Sequence, residues 1–192
     1  MMYRGKLSSV VASMAAALLS SFSHARDLYF NEMVVDPQRD WDISGSITPS
    51  DEWFELYNSD SEPFSLTGIE LRLIDTTPES MMLDPYSSIA PNGRLVVLNP
   101  PGMQNNDGRI ELYDTITGTL IDGVSYGNWT GNSLGIPNGN ATGLSDEALA
   151  RFPDGSPDFS KTFATYGTPN VSSPGIFALG GLAALVIGRR RR

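Results

Sequence analysis

The sequence has no cysteine and only one histidine among its 192 residues. Without cysteine, the protein has no disulfides to stabilise it and no thiolate to act as a nucleophile or metal ligand. The single histidine, His24, lies in an N-terminal segment that we expect to be removed. A mature chain without His or Cys excludes Ser-His and Cys-His nucleophilic catalysis, and zinc sites built on those ligands. Carboxylate chemistry and metals bound through oxygen remain open.

Basic residues are also few, with 13 Lys and Arg against 22 Asp and Glu. Six of the 13 lie close to the two ends of the chain, whereas all the acids lie between residues 26 and 171. That central part therefore carries 7 basic residues, 22 acidic residues and a net charge of −15. Binding to nucleic acid needs a basic face that neutralises phosphates. We therefore expect neither nucleic acid nor an anionic membrane surface as a partner.

The first 25 residues have the layout of a secretory signal peptide. Arg4 and Lys6 give a positive start, residues 7–19 are apolar or small without charge, and Ser23 and Ala25 fit the positions before a cleavage site. A membrane anchor is the alternative, but the apolar run is short for a span, which needs about 20 residues. The sequence therefore predicts an exported protein whose mature chain begins at Arg26.

Residues 171–192 contain an apolar run, 176–187, and end in four arginines, 189–192. A basic cluster directly after an apolar run stays on the cytoplasmic side of a membrane. The order of short motif, apolar helix and arginine cluster resembles the PEP-CTERM sorting signal, with residues 172–175 (SSPG) in the place of Pro-Glu-Pro. The resemblance implies a sorting protease or transpeptidase of the exosortase type as a partner. It also implies that this segment holds the protein in the membrane before processing. The protein is then expected in the cell envelope, at the cell surface or outside the cell of a Gram-negative bacterium.

Between these ends, residues 26–170 have the size of one ordinary domain. Gly and Pro interrupt this part often, and the pieces between them are short and rich in β-branched and aromatic residues, as strands are. Ile69, Leu71 and Leu73 share one face of such a piece, as do Ile110 and Leu112 of another. The predicted strands cover residues 28–35, 53–57, 68–74, 94–98, 109–114, 120–126 and about 149–152, with a shorter one at 81–83. This number of short strands predicts an all-β sandwich, and residues 128–145 read as a long polar loop.

Five blocks of this part carry distinct short motifs in a fixed order. They read LYFNEMVVDP from residue 28, DEWFELYNSDSEPFSLTGIELR from 51, IAPNGRLVVL from 89, IELYDTITGTLIDGVSYG from 110 and ALARFPDGSPDFSKTFATYGTPN from 148. In this order they resemble the lamin tail domain family, although the family more often has Thr-Pro-Gly before the last Asn. The resemblance implies an immunoglobulin-like sandwich over residues 26–170. It also implies an interaction or accessory surface module with no catalytic activity of its own.

Residues 40–51, DWDISGSITPSD, match the spacing of a calcium-binding loop. Such a loop supplies oxygen ligands at positions one, three, five, seven, nine and twelve, and has Gly at position six for a tight turn. The residues at those ligand positions are Asp40, Asp42, Ser44, Ser46, Thr48 and Asp51, with Gly45 at six. Ile47 takes position eight, where an apolar side chain is expected to pack inward. The flanks read as strands rather than helices, so a solvated acidic turn without calcium is the alternative.

Asp51, Glu52 and Glu55 could alternatively supply a pair of catalytic carboxyl groups. Glycoside hydrolysis needs two carboxyl groups at a defined separation, but residues three apart on a strand point to opposite faces. By the same alternation, one of Trp53 and Phe54 should face the core and the other should face solvent or a covering loop.

The sequence thus predicts a non-enzymatic, exported surface or extracellular-matrix interaction module, with an extracellular protein or polysaccharide as its partner. The alternatives are an accessory or carbohydrate-binding module of extracellular polymer degradation, or a weak hydrolase.

Overall fold

The structure is a computed structural model that describes residues 27–75, 77–105, 107–127, 129 and 147–170. The expected signal peptide, the sorting segment at 171–192 and nearly all of the polar loop at 128–145 lie outside the described residues. Within the described part, the chain forms strands and two short 3-10 helices but no α-helix. No helix in that part is long and apolar enough to cross a membrane.

Strands of the described part form two large antiparallel sheets and one small ribbon. The strands are β1 (Leu28–Val34), β2 (Trp53–Asn58), β3 (Phe64–Ser65), β4 (Ile69–Ile74), β5 (Glu79–Met82), β6 (Ser88–Ile89), β7 (Arg94–Leu98), β8 (Asp107–Asp114), β9 (Thr119–Gly127), β10 (Glu147–Arg151) and β11 (Phe159–Phe163). One sheet has the order β11-β10-β1-β2-β7, the other has the order β5-β4-β8-β9, and β3 pairs with β6. The 3-10 helices lie at Pro49–Asp51 and Asp84–Tyr86. The predicted all-β sandwich is therefore confirmed.

An apolar core lies between the two large sheets. On β4, Ile69, Leu71 and Leu73 are buried and alternate with partly exposed residues. On β8, Ile110 and Leu112 alternate in the same way. Both alternations were predicted, and each such side chain stabilises the fold by about 1.5–3 kcal/mol when fully buried.

The outer face of the five-stranded sheet is also covered. Phe54 points into the main core, whereas its neighbour Trp53 lies in a second, small apolar cluster with Val34 and Ala148. Trp53 is nonetheless fully buried. The expectation that one of these two aromatic residues faces solvent is therefore wrong. The other predicted arrangement is observed, because a covering loop buries Trp53.

The prediction missed β11 and the ribbon formed by β3 and β6. β11 is an edge strand that pairs only with β10, and it exposes Ser160 and Lys161. Polar residues protect an edge from pairing with other chains, and they also erase the period-two signal. β3 and β6 have two residues each, which is too short for any period to show.

A bulge in β1 determines where the buried polar residues lie. Before the bulge Phe30 pairs with Leu56, and after it Glu32 pairs with Glu55. The extra residue between them is Asn31, and a bulge of this kind redirects side chains. Because Glu55 alternates with core residues on β2, the bulge brings Glu32 beside it on the outer face of the sheet.

Candidate functional site

The acidic loop brings three of its predicted ligands together. Asp40, Asp42 and Asp51 each offer an oxygen, and these oxygens lie within 4.8 Å of one another. Gly45 has a φ of 95°, which confirms that position six needs the backbone freedom of glycine. The loop thus brings three carboxylates together around a tight turn.

Asp51 holds the shape of this loop. Its side chain is buried, and its carboxylate accepts the N–H groups of Trp41 at 2.5 Å, Asp42 at 2.9 Å and Thr48 at 2.8 Å. Asp42 is more exposed, and hydrogen bonds from Ser44 hold the pKa of its carboxyl below the usual range. The two acids therefore differ: Asp51 is bound into the fold, whereas Asp42 offers charge at the surface.

Two predicted features of the loop are different in the structure. Ile47 is 54% exposed, so the prediction of an inward-packed residue at position eight is wrong. The loop is closed instead by the 3-10 helix at its end, Pro49–Asp51, for which Thr48 is the N-cap. The Thr48 hydroxyl accepts the N–H of Ser50 at 3.2 Å, so the oxygen predicted as ligand nine is used as a cap. The Ser44 hydroxyl donates to the carbonyl of Ser46 at 3.1 Å, across the turn.

Glu52 and Glu55 do not share an environment. Burial and the nearby Asp36 carboxylate raise the pKa of Glu52 to about 8. Glu55 instead contacts Asn31 and the N–H of Gly167 on the outer face of the sheet. The two acids therefore lie in different surroundings, in line with the alternation expected along a strand.

A second polar cluster, which sequence reasoning did not single out as a site, lies on that outer face. Glu32 and Glu55 are cross-strand partners and both are fully buried. The side-chain amide of Asn31 donates to Glu55 and to Asp154, at 2.7 Å in each case. Arg94 of β7 pairs with Asp154 and lies 3.8 Å from Glu55. The carboxylates of Glu55 and Asp154 therefore flank one guanidinium, and Glu32 lies beside Glu55.

Burial and hydrogen bonding act against each other in this cluster. Burial raises the pKa of Glu55 to about 7, although the bond from Asn31 acts to lower it. Burial also raises the pKa of Glu32. Burial acts the same way on Asp154, but bonds from Arg94 and Asn31 hold the pKa of that carboxyl below its usual range. Asp154 is thus the charged partner of Arg94, whereas burial favours the protonated form of each glutamate.

Residues 165–170, which we call the strap, close this cluster. Thr165 donates its N–H and its hydroxyl to Glu32 at 2.9 Å and 2.7 Å. Gly167 donates its N–H to Glu55 at 2.8 Å, and Asn170 donates its N–H to Asp154 at 3.0 Å. Each acid of the cluster therefore accepts a backbone N–H of the strap.

Aromatic rings join the strap to the acidic loop. The ring of Trp41 stacks on Tyr166 of the strap at a centroid distance of 4.8 Å, and both rings meet Trp53 edge-on. The guanidinium of Arg39 lies 4.5 Å from the centroid of the Trp41 ring. The loop and the strap therefore cover the sheet together, and Trp53 is buried beneath them.

A third polar group ties the two large sheets together. Arg151 of β10 donates to the carboxylate of Asp122 on β9 at 3.0 Å and to the carbonyl of Phe30 at 2.7 Å. Asp122 in turn accepts the N–H of Phe30 at 2.9 Å. Arg151 also donates to the carbonyls of Ser156 and Pro157. Pairing of β1 with β10 covers only Glu32 and Met33, which leaves the backbone groups of Phe30 for these bonds.

Asn58, the last residue of the Glu-Leu-Tyr-Asn motif, holds two loops with one amide. It is fully buried and its NH₂ group donates to the carbonyls of Glu62, Ile89 and Ala90 at 2.8–3.1 Å. Its own oxygen accepts the N–H of Asp60 at 3.0 Å.

We expect Asn58→Ala to lower the free energy of unfolding by about 2 kcal/mol, because it leaves buried carbonyls without a donor. Asn58→Asp keeps the shape and the acceptor but removes the donors, so it should destabilise the protein at least as much. Urea denaturation of both variants measures these losses. An Asp variant as stable as the wild type would contradict the role given to the amide.

The motif residues of the five sequence blocks therefore meet in space. Asn31 and Glu32 belong to the first block, Glu55 to the second, Arg94 to the third, Asp122 to the fourth, and Arg151, Asp154 and Asn170 to the fifth. Sequence reasoning used most of them as markers of a resemblance. The signal that could have found them is a charged or amide side chain at a position that should be buried in a strand.

The fold and these contacts define an immunoglobulin-like sandwich whose buried polar residues join its sheets and close its outer face. The model of the Lamin Tail Domain family matches residues 22–128, more than half of the chain, and the chain belongs to this family. The match ends before β10, yet β10 and the strap complete the same sheet and the same cluster. No curated protein and no solved structure matches the chain significantly.

Proposed function

We propose that the protein is a non-enzymatic interaction module that works at the cell surface or in the extracellular matrix. The observation that carries this proposal is the use of its buried acids. Glu32, Glu55 and Asp154 all accept backbone N–H groups of the strap, which covers them. A general acid or base must reach its substrate within hydrogen-bond distance, so acids committed to the fold in this way favour a binding role over hydrolysis.

The proposal includes export and a sorting step. The N-terminal 25 residues would direct secretion, and residues 171–192 would hold the protein in the membrane until an exosortase-type enzyme processes it. Mass spectrometry of the protein from cells and medium tests this part. A mature mass that starts at Arg26 and ends near residues 172–175 is expected, whereas a retained arginine tail would mean a permanent anchor.

Interaction with the matrix is tested by retention of the purified protein. We expect labelled protein to stay with extracellular matrix prepared from the producing cells and to be displaced by the unlabelled protein. Treating the matrix with a protease or with glycosidases then tells a protein partner from a polysaccharide. Equal retention of an unrelated acidic protein would contradict specific binding.

A carbohydrate-binding module is the second candidate, and the aromatic residues of the outer face bear on it. Sugars are held by exposed aromatic faces, but one face of Trp41 is stacked on Tyr166 and Arg39 also lies on that ring. Trp53 is buried. These contacts favour a protein partner, and a pull-down on insoluble polysaccharides compares the two candidates directly.

We further propose that the acidic loop binds calcium. The convergence of Asp40, Asp42 and Asp51 supports this proposal, and carboxylate oxygens are the ligands that calcium prefers. Bound calcium would tie the loop between β1 and β2 to the sheet, so its role would be structural. The affinity expected for an extracellular module corresponds to a Kd on the order of 10⁻⁴–10⁻³ M.

With 5 mM calcium, mass action should then stabilise the protein by about 1–2 kcal/mol. Calorimetry should show an increase in Tm of a few degrees, and a chelator should reverse it. Asp42→Asn should abolish the calcium-dependent gain while costing little stability without calcium, because Asp42 is only half-buried and accepts one backbone N–H, from Ser44. Asp51→Asn should destabilise the protein even without calcium, because Asp51 accepts three backbone N–H groups. If calcium does not raise the Tm of the wild type, the calcium proposal is contradicted.

A further inference from the structure

We propose that a groove beside the start of β9 binds an extended peptide with alternating basic and apolar side chains, which adds to β9 as a further strand. This inference rests on the proposed function, since it names the surface and the partner chemistry of an interaction module. It is carried by the shape of the groove, by the unpaired edge of β9 and by the charge of the groove.

The groove has a volume of about 550 Å³ and lies between the β8–β9 turn, β3 of the ribbon and the residue that precedes β1. Phe64, Leu120 and Ile121 give it an apolar wall, and Asp27 and Asp114 also line it. Known ligand sites have volumes of about 300–1,000 Å³ and combine apolar walls with a few polar groups. The groove thus has the size and the lining of a binding site for a short segment of chain.

The edge of β9 forms one side of this groove. β9 is the last strand of its sheet; Thr119 and Leu120 pair with Asp114 and Tyr113 of β8, and Ile121 is the extra residue of a bulge. In the described part of the chain, no hydrogen bond occupies the other side of these three residues. An edge of this kind presents a row of N–H and C=O groups to a new strand. Addition of a strand to a sheet edge is a common way of binding an extended peptide.

The hydrogen bonds that tie β9 to β1 show where the groove begins. At Asp122 the edge of β9 is tied to β1 by the bond to Phe30 and by Arg151. Before Asp122, no such bond links the described residues of the two strands. On β1, pairing with β10 covers only Glu32 and Met33. The N–H and C=O of Phe30 are bonded to Asp122 and Arg151, so the groove lies before this tie.

Charge then selects the partner. Two carboxylates line the groove, and none of its described lining residues is Lys or Arg. Hydrogen bonds from Thr117 keep the pKa of Asp114 below its usual range, so this group is charged at neutral pH. Alternate side chains of an extended peptide point to opposite faces. One set can therefore pack on Phe64 and Leu120 while lysine or arginine residues of the other set approach Asp27 and Asp114.

A second copy of the chain does not fit this groove as well as a basic partner. The full chain has a formal net charge of −9, and the part between the expected cleavage sites is more acidic still. Like charges across an interface disfavour association. A partner of the opposite charge gains both the strand pairing and the electrostatic attraction.

The experiment uses three fluorescent octapeptides and the purified protein. The first alternates lysine with valine, the second replaces each lysine by glutamate, and the third carries N-methyl groups on alternate backbone nitrogens of the first. Anisotropy titrations should show binding of the first peptide at least 10-fold tighter than binding of the other two. Added salt should weaken that binding, because its charge contacts are exposed.

Leu120→Arg places a positive charge in the groove and should weaken binding of the lysine peptide at least 10-fold. Met82→Arg is the matched control, because Met82 is an exposed apolar residue on β5, the opposite edge of the same sheet. It should leave binding within about 2-fold of the wild type, and circular dichroism checks the fold of both. If Leu120→Arg does not fold, Asp27→Lys takes its place, since Asp27 precedes β1.

Equal binding of all three peptides, or equal effects of Leu120→Arg and Met82→Arg, would overturn the assignment of this groove. Matrix retention separates this failure from failure of the proposed function. If matrix still retains the Leu120→Arg protein and the peptides do not bind, the interaction role stands and the groove is not its site. If the wild-type protein is not retained at all, the proposed function fails whatever the peptides do.

Discussion

Replacing Arg151 by methionine should lower the free energy of unfolding by about 3–5 kcal/mol. Arg151 and Asp122 are nearly buried, with side chains 9% and 12% exposed, and removal of one partner leaves the other as an uncompensated buried charge. The change also takes a donor from the carbonyl of Phe30. Because the pair lies between the two large sheets, the loss should weaken the sandwich as a whole.

Urea denaturation followed by tryptophan fluorescence measures this loss. Lys161→Met is the matched control, since Lys161 pairs with Glu147 at 3.0 Å in a pair whose side chains are each 34% exposed. Such pairs contribute about 0–1 kcal/mol. The double variant Arg151→Met with Asp122→Asn should recover part of the loss, because it removes the unpaired charge. A loss for Arg151→Met no greater than that for Lys161→Met would contradict the role of the pair.

Raising the pH from 5 to 8 should destabilise the protein. The pKa values of Glu32, Glu55 and Glu52 are raised by burial, to about 7 for Glu55 and about 8 for Glu52. A carboxyl whose pKa is higher in the folded state binds its proton more tightly there. Its contribution to stability is therefore complete below the unfolded value of 4.5 and is lost as the pH rises through the folded value. For Glu55 alone, the difference between 4.5 and about 7 corresponds to about 3 kcal/mol.

The charged groups that face Glu55 come from every neighbouring element. They are Glu32 on β1, Arg94 on β7 and Asp154 before β11. Asp154 has a lowered pKa, so its contribution to stability is present above the unfolded value and is lost when the pH falls through the folded value. Stability should thus be highest near pH 4, between the unfolded pKa values of 3.8 for Asp154 and 4.5 for the glutamates, and should fall on both sides.

Chemical denaturation at a series of pH values tests this profile. Glu55→Gln should reduce the slope between pH 5 and 8 by about one proton, whereas Glu147→Gln, on an exposed pair, should leave it unchanged. Because the strap carries Tyr166 against Trp41, tryptophan fluorescence should report whether the strap loosens first. A wild-type stability that rises from pH 5 to 8 would contradict the burial of these acids.

The sheets could be predicted because their signal is local. Alternation of apolar residues on β4 and β8 follows directly from the pleat of a strand, and the same residues form the core. The acidic loop could also be predicted, since its three carboxylates belong to 12 consecutive residues. The position of Ile47 could not be predicted, because the turn is closed by the cap at Thr48 and not by Ile47.

The outer-face cluster could not be predicted in the same way. Its contacts join residues far apart in the sequence, such as Thr165 and Glu32, which are 133 residues apart. The register that brings Glu32 opposite Glu55 depends on a bulge of one residue at Asn31, and no sequence period marks it. The strap has neither alternation nor a helical pattern, since it is held by side chains of other segments.

Turnover by the purified protein tests most directly whether these acids serve the fold rather than catalysis. The wild type and Glu55→Gln are incubated with a panel of polysaccharides and phosphoesters near pH 7, and products are measured against buffer. We predict no turnover by either protein, together with the reduced pH slope of the variant. Turnover by the wild type that disappears in a folded Glu55→Gln protein would contradict the non-enzymatic role.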